Sequence, residues 1–375
     1  MTRALIVHSG NMLGGVETVL TALARLARSH ETLALEFALA FDGPFADRLR
    51  AEGAPVVIIG PARLSRPLQV RAMRRRLSAH LATAALDVVL IQSAWSHALL
   101  GSVVTRAKLP IALWVHDVLD GSHWLHHLAA RVKPQLLICN SQFTARGASA
   151  LFPGVPVEVV YYPVELPASG RDDVSRQEIR RRLDTPDDAV VVVQVGRAEP
   201  YKGHTVLLDA LRRLPRDRPW MCWQIGGPQN AREQRYWRGL LAKAHADGLD
   251  ARVRWAGLQH DVHNFLAASD IYCQPNVGPE PFGIAIIEAL GAGLPVVTSR
   301  LGAAPEILTD GAGVLVPAGN AEGLAEALRE LIVNVDRRRA FASVGPKRAE
   351  TLCDPERSFA ALLEALQRMR TSQAT

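Results

Sequence analysis

Cysteine is scarce in this chain. There are four in 375 residues, Cys139, Cys222, Cys273 and Cys353, and none belongs to a C-x-x-C pair. That spacing excludes a disulfide scaffold and a zinc ribbon, and it suits a reducing cytosol. Long apolar runs are missing too. The N-terminus, MTRALIVHSG, offers four apolar residues before His8, too few for a signal peptide. No stretch approaches the roughly 18–20 apolar residues of a spanning helix. Aromatic residues make up 6% of the chain and do not interleave with its basic cluster, which argues against a nucleic-acid binder. Apolar content of 48% and charged content of 21% exclude a disordered or fibrous chain. The expectation is a cytoplasmic protein of two ordinary domains, long enough to need no covalent staples.

The formal charge of +6 is unevenly spread. Residues 1–170 carry 16 Lys/Arg against 11 Asp/Glu, whereas residues 171–375 carry 27 against 26. The densest cluster is Arg63, Arg66, Arg71, Arg74, Arg75 and Arg76. Two readings stand: a solvated helix face, or a patch for phosphate-bearing partners or an anionic membrane. Leu64, Leu68, Met73 and Leu77 lie among these arginines and could form the apolar stripe of a peripheral membrane contact.

Short β-rich runs alternate with helical patterns throughout. Expected strands in the first half are residues 3–8, 32–40, 55–59, 87–92, 111–116, 135–140 and 157–161. In the second half they are residues 189–195, 221–225, 253–256, 271–274, 296–298 and 313–316. Runs such as VVVVQV lack polar alternation, which marks parallel strands covered by helices on both faces. The βαβα rhythm gives an α/β class. Composition breaks near Tyr162–Pro186, a segment rich in Pro, Gly, Ser and charge. This predicts two Rossmann-like domains, with ligands outside the carboxyl ends of their strands in a cleft.

Three strand-to-helix junctions carry chemistry. The first, His8-Ser-Gly-Asn-Met-Leu-Gly14-Gly15-Val-Glu17, precedes a helix expected to start near Val16. Its glycines permit close backbone approach, and the helix start can meet an anion, although a structural turn explains it as well. G-x-G-x-x-G spacing is absent, so no dinucleotide fingerprint is supported and a nicotinamide oxidoreductase is disfavoured. The second junction, Gly196-Arg197-Ala-Glu-Pro-Tyr-Lys202-Gly203, sets two cations five residues apart. Arg can fork two phosphate oxygens while Lys supplies a point charge, a pairing suited to a diphosphate. The third is Glu280-Pro-Phe282-Gly283-Ile284, followed by Glu288 about one turn into the next helix. Side chains tilt toward a helix N-terminus, so both carboxylates can reach the space above it. Carboxylates accept from vicinal hydroxyls, and the N–H groups of Phe282–Ile284 can meet a sugar hydroxyl or phosphate.

Together the E-x(7)-E element, the GR…KG element, GGVE and the G-x-P-V-V-T-S run resemble the retaining glycosyltransferases of family 4, also described as glycosyl transferases group 1. The resemblance runs from His8 to about Pro317 and implies the GT-B fold. It implies an acceptor-binding domain over residues 1–165, a nucleotide-sugar domain over 166–354, and a C-terminal helix over 355–375 that crosses back onto the first domain. Arg197 and Lys202 would hold the diphosphate, Glu280 and the Phe282, Gly283 and Ile284 backbone the sugar, and Glu288 the ribose. Gly15 would lie near the donor phosphate or the acceptor, with Gly14 and His116 on the acceptor side. His116, in WVHD, matches the family's active-site histidine. Two positions depart from the family pattern: Asn276 stands where Ser is frequent, and Gly302-Ala303 replaces Gly-Gly ahead of Glu306.

The implied reaction is glycosyl transfer from a UDP- or GDP-sugar to a glycan or lipid-linked acceptor, with retention, by front-face substitution. A double-displacement route needs a carboxylate nucleophile at the anomeric carbon, and the first half offers no candidate for that role. The implied catalytic set is His116, Arg197, Lys202 and Glu280, with no cofactor or metal expected because the cations compensate the diphosphate. His123, His126 and His127 read as a polar helix face rather than a metal cluster. The high Ala, Arg and Leu content points to a G·C-rich bacterium, and hence to cell-envelope or exopolysaccharide synthesis. Alternatives are a nucleotide-sugar epimerase of the same fold and a non-catalytic sugar-nucleotide-binding protein.

Overall fold

A computed structural model describes residues 1–10, 14–166, 173–309 and 311–371. The chain divides into two compact units, Met1–Glu165 with Cys353–Thr375, and Leu166–Leu352. Part of the Tyr162–Pro186 break, residues 167–172, lies outside the described residues, as do residues 11–13 of the first junction.

The first unit alternates β1 (Thr2–His8), α1 (Gly15–Ser29), β2 (Leu33–Leu39), α2 (Pro44–Ala51), β3 (Val56–Ile58), α3 (Pro67–Thr83), β4 (Val88–Gln92), α4 (Ser93–Arg106), β5 (Ile111–Val115), α5 (Trp124–Ala129), β6 (Leu136–Cys139), α6 (Gln142–Leu151) and β7 (Val157–Val159). Its seven strands are all parallel, in the order β3-β2-β1-β4-β5-β6-β7. Leu5 and Val7 of β1 share one apolar layer with Val89 and Ile91 of β4, covered by Met73 and Leu77 of α3 and Leu99 and Val103 of α4. Met73 and Leu77 therefore face the sheet. The apolar stripe expected among the arginines does not form, because their helical spacing serves the core.

The second unit contains α7 (Asp173–Arg182), β8 (Val190–Val195), α8 (His204–Leu211), β9 (Trp220–Ile225), α9 (Ala231–Ala246), β10 (Val253–Gly257), α10 (Val262–Ala267), β11 (Ile271–Gln274), α11 (Ile284–Gly291), β12 (Val296–Ser299), α12 (Ala304–Ile307), β13 (Gly313–Val316), α13 (Ala321–Val333) and α14 (Val335–Cys353). The last helix, α15 (Pro355–Thr371), belongs to the first unit and packs with α1. Six parallel strands run β10-β9-β8-β11-β12-β13. Val191, Val192 and Val193 of β8 are fully buried, each contributing roughly 1.5–3 kcal/mol of apolar burial. This explains a strand with no polar alternation. The strand order reverses between β8 and β11, and between β1 and β4 in the first unit. Crevices at such switch points are where open α/β sheets take ligands.

Candidate active site

At the second unit's switch point, the loop leaving β8 folds onto the loop leaving β11. Gly203 fixes the approach. Its φ is +74°, and a Cβ there would lie 1.8 Å from the Pro275 carbonyl oxygen. The Val277 N–H also donates to the Tyr201 carbonyl at 2.8 Å. Two loops distant in sequence are thereby pinned, and Lys202 Nζ meets Glu280 Oε2, 78 residues on, at 2.5 Å. Burial pulls the ammonium's pKa down, but the charge and hydrogen bond of Glu280 outweigh it, and the net direction is upward. The lysine is a fixed cation.

Glu280 is seated from below. Gln274 Nε2 and Asn276 Nδ2 both donate to its Oε2 at 3.4 Å, and Gln274 Nε2 also donates to Asn276 Oδ1 at 3.1 Å. Asn276, a departure from the family pattern, thus supplies a donor of its own. Glu280 Oε1 has no hydrogen bond to a described residue. Behind the carboxylate, Gly302 has φ +61°, and a Cβ there would lie 2.1 Å from the Glu280 carbonyl oxygen. Ala303 has an ordinary helical φ and donates its N–H to that same carbonyl at 2.9 Å. The second departure is explained: only the first glycine of the pair is sterically required.

Gly283, at φ +95°, turns the chain into α11, which starts without a side-chain cap. Phe282 is buried beneath. The amides of Gly283 and Ile284 head the helix with no hydrogen bond to a described residue, as an oxygen-rich ligand requires. Glu288 sits one turn in. Burial pushes its carboxyl pKa up to about 7, and it has no hydrogen bond or ion pair to a described residue. Tyr272 of β11, its phenol pushed up first by burial, also feels the negative charges of both Glu280 and Glu288. The two acids therefore share one neighbourhood.

Arg197 follows β8 and reaches Glu233 in the first turn of α9, with Glu199 3.6 Å away. Burial opposes ionisation of Glu233, yet hydrogen bonds from the Gln229 N–H and Arg197 hold its pKa below the usual carboxylate value. Sequence reasoning missed Glu233. The signal was present as Asn230-x-x-Glu233, a capping arrangement in which the Asn230 Oδ1 accepts from the N–H groups of Arg232 and Glu233. Arg197 Nε is buried without a partner among the described residues, leaving a guanidinium edge for an anion.

The first unit's switch point carries a separate polar cluster. His8 Nε2 meets Glu17 Oε1 at 3.0 Å, and Gly10 packs so tightly on this pair that a Cβ would lie 2.4 Å from the imidazole. Gly14 caps α1 and Gly15 is its first residue. Glu17 lies in the first turn of α1, and a Cβ on Gly14 would lie 3.2 Å from its Oε2. Ser9, just past β1, meets Ser96 in the first turn of α4 through a hydroxyl pair at 2.6 Å.

His116, one residue past β5, is buried with both ring nitrogens engaged. Nδ1 meets the Tyr162 hydroxyl at 2.5 Å and Nε2 meets Gln92 Oε1. Asn140 Nδ2 donates to the same hydroxyl at 2.9 Å. Because Gln92 presents an oxygen, the neutral ring carries its proton on Nε2, and Tyr162 donates to Nδ1. Burial, with His8 nearby, lowers the His116 pKa to about 3. Tyr162 had been counted with the interdomain break rather than with the site. Further along, His123 accepts from the Leu125 N–H to cap α5. No group of three His, Cys, Asp or Glu side chains among the described residues could hold a metal ion.

Two Rossmann-like parallel-sheet units, each with a polar loop cluster at its switch point, make the architecture of a GT-B protein. Comparisons with known proteins give the same class. Residues 175–348 match the model described as glycosyl transferases group 1, and residues 13–166 match glycosyltransferase family 4. The chain belongs to the family 4 glycosyltransferases. It is 36% identical over 168 residues to the lipopolysaccharide core biosynthesis glycosyltransferase LpsE of Rhizobium meliloti strain 1021, covering 44% of this chain and 46% of that one. It is 35% identical over 190 residues to a phosphatidyl-myo-inositol mannosyltransferase of Mycobacterium tuberculosis strain H37Rv, covering 48% of each. The chain spans about half the length of the relatives it matches. Among solved structures, Anabaena Alr3699/HepE in complex with UDP and glucose aligns with TM-score 0.84 at 23% identity, covering 98% of this chain and all of that one. WaaG, a glycosyltransferase involved in lipopolysaccharide biosynthesis, aligns with TM-score 0.71 at 18% identity over 95% and 98% of the two chains.

Proposed function

We propose that this chain transfers a hexosyl group from a UDP- or GDP-sugar to a hydroxyl of a glycan or lipid-linked acceptor, with retention, in bacterial cell-envelope or exopolysaccharide synthesis. The observation that carries the reading is the Lys202–Glu280 pair set on Gln274 and Asn276, beside the uncapped start of α11 and the unpaired Glu288. A nucleoside diphosphate sugar offers each group its complement. The diphosphate suits Lys202 and the free edge of Arg197, the sugar hydroxyls suit Glu280 Oε1 and the Gly283 and Ile284 amides, and the ribose diol suits Glu288.

Charge grows on the leaving diphosphate as the glycosidic bond breaks, and fixed cations already aimed at it lower that barrier without reorganising. Lys202 and Arg197 supply this compensation, so the reading calls for no resident metal or cofactor. The acceptor hydroxyl's proton passes to the departing phosphate on the same face as attack, which yields retention. His116 remains neutral at pH 7 and acts through hydrogen bonds, not as a proton carrier. On this reading Gly14 and His116 belong to the acceptor side, and an acceptor anchored in lipid calls for a peripheral membrane contact by the first unit. Among the described residues, no helix is long and apolar enough to cross a membrane.

The test is thermal stabilisation by UDP-, GDP-, ADP- and TDP-sugars, with and without a divalent cation, followed by release of free sugar. One donor should stabilise the wild type and be slowly hydrolysed, and Glu280→Gln should lose the hydrolysis. Stabilisation by none of them would sink the donor-site assignment. Conversion of the donor sugar to its epimer would give the function to an epimerase.

A further inference from the structure

The cations of the first unit avoid one end of its sheet. Residues 8–17, 92–105, 116–130 and 140–145 run from the carboxyl ends of β1, β4, β5 and β6 into α1, α4, α5 and α6, and they contain no Lys or Arg, although residues 1–170 hold 16. Their acids are Glu17, Asp117 and Asp120, and the next cation along the chain, Arg146, comes within α6 itself. Ligands of open parallel sheets bind at this end. These junctions offer an anionic ligand no lysine or arginine to meet.

The β5–α5 junction adds a surface of its own. Among the described residues Trp124 is the one exposed side chain of the Trp, Tyr and Phe set, at 57%, whereas Trp114, Trp220 and Trp223 are fully buried. Its indole lies 5.5 Å from the His123 ring, centroid to centroid, and His123 lies 5.9 Å from His126, so an aromatic strip marks the start of α5. Asp120 flanks the strip, 3.6 Å from His126 Nδ1. Its Oδ1 accepts from the Ser122 N–H at 2.9 Å and the Ser122 hydroxyl at 2.7 Å, and its Oδ2 has no hydrogen bond to a described residue. Those hydrogen bonds from Ser122 hold the carboxyl pKa below its ordinary value, so the group is an ionised acceptor. The junction is seated from beneath. Leu119 is buried in one apolar layer with Val115, Ala129 and Leu137, and α6 packs so closely that a Cβ at Gly147 would lie 2.5 Å from the Leu119 carbonyl oxygen. A loop fixed in this way, with an indole left in water, is preorganised for a ligand with a flat apolar face.

A pyranose ring has such a face. Its axial C–H bonds present partial positive charge to the negative face of an indole, and its hydroxyls donate to carboxylates. We propose that the β5–α5 junction is a glycan platform, on which Trp124 stacks against an uncharged hexopyranose residue of the acceptor while Asp120 accepts from its hydroxyls. This deepens the functional reading by naming the class of acceptor residue, a neutral sugar rather than one bearing phosphate or carboxylate. It rests on that reading only for why a glycan should be at hand. The same junction begins with His116, which that reading puts on the acceptor side.

The experiment is fluorine NMR of the full chain labelled with 5-fluorotryptophan, with and without UDP or GDP. The probes are the α- and β-methyl glycosides of glucose, galactose and mannose, up to about 100 mM, ample for a millimolar contact. At least one glycoside should shift the Trp124 line saturably and leave the lines of Trp114, Trp220 and Trp223 in place; Trp124→Phe assigns the line. Saturation transfer to the same glycoside should show binding weakened about tenfold by Trp124→Ala and about threefold by Asp120→Ala, and largely kept by Trp124→Tyr. Because position 124 is exposed, both of its variants should unfold at the temperature of the wild type. The 6-phosphate of the same hexose should bind about fivefold more weakly at low ionic strength. Absence of a saturable shift with all six glycosides would overturn the proposal, as would binding of the 6-phosphate as tight as that of the glycoside. A Trp124 line moved by phosphatidylglycerol vesicles and by no glycoside would give the residue to a membrane and overturn it too. Donor-sugar stabilisation is measured on the same protein without glycoside, so failure of the platform and failure of the transferase reading are distinguishable.

Discussion

Replacing Glu288 by Gln should make the protein more stable while impairing what it binds. In the folded chain burial raises this carboxyl from the ordinary value of 4.5 to about 7. Between those values the folded state holds a proton that the unfolded state releases, so stability falls as pH rises through the interval. The favourable contribution is complete below pH 4.5 and gone once pH passes about 7. A gap of roughly 2.5 units corresponds to about 3 kcal/mol, an upper figure because the side chain keeps some contact with water. Glutamine keeps the shape and loses the charge. Urea unfolding followed by tryptophan fluorescence should show Glu288→Gln ahead of the wild type by about 2–3 kcal/mol at pH 8 and nearly level at pH 5. Donor binding should move the other way. A ribose diol needs the ionised form, so nucleotide-sugar affinity of the wild type should improve about tenfold from pH 6 to pH 8. The variant should bind weakly with a flat profile. A nucleotide sugar is the right probe, since its diphosphate diester does not titrate in that window. If both proteins show the same pH dependence of stability, Glu288 is not the desolvated acid described above and the reasoning fails.

Lys202→Met removes one partner of a buried pair and leaves Glu280 charged and uncompensated; it should cost about 3–5 kcal/mol, with hydrolysis abolished, whereas Glu280→Gln should cost less. Gly302→Ala places a Cβ against the Glu280 carbonyl and should reduce donor-sugar affinity by calorimetry at least tenfold, while Ala303→Gly should leave it nearly unchanged. Tyr162→Phe deprives both Asn140 and His116 of a buried partner and should destabilise by about 1–3 kcal/mol, measured by denaturant titration. Glu233→Gln should lower the stability that Arg197 and Glu233 share, yet tighten diphosphate binding by freeing the guanidinium.

Much of this architecture is legible in the residues because parallel sheets write themselves as apolar runs. All thirteen strands lie where such runs predict, and the differences are at their ends. The run Thr32–Ala40 becomes Leu33–Leu39, and Pro55–Ile59 becomes Val56–Ile58, since a strand stops where its neighbour's ladder stops, however apolar the next residue. Arg197, Lys202, Glu280 and Glu288 were visible for a different reason: each lies at a strand-to-helix junction or in the first turns of the helix that follows it, where sequence order and spatial order coincide. What stayed hidden depends on contacts between distant segments. Glu233 meets Arg197 from 36 residues away and Tyr162 meets His116 from 46 away. Met73 and Leu77 misled for the converse reason: helical spacing reveals an apolar face without saying whether a sheet or a membrane covers it.

The return of α15 to the first unit bears on how the protein is made. The Val164 N–H donates to the Cys353 carbonyl at 3.1 Å, so the place where the chain leaves the first unit and the place where it comes back are bonded to each other. On a ribosome the whole of Leu166–Leu352 emerges between them. The first unit is thus begun first and finished last. Its α1 surface waits for α15 through the synthesis of some 190 residues, while the second unit is contiguous and can close as soon as it appears. A chain stalled or clipped before Pro355 would therefore carry a complete second unit attached to an unfinished first one, with the α1 surface that α15 covers exposed to chaperones and proteases.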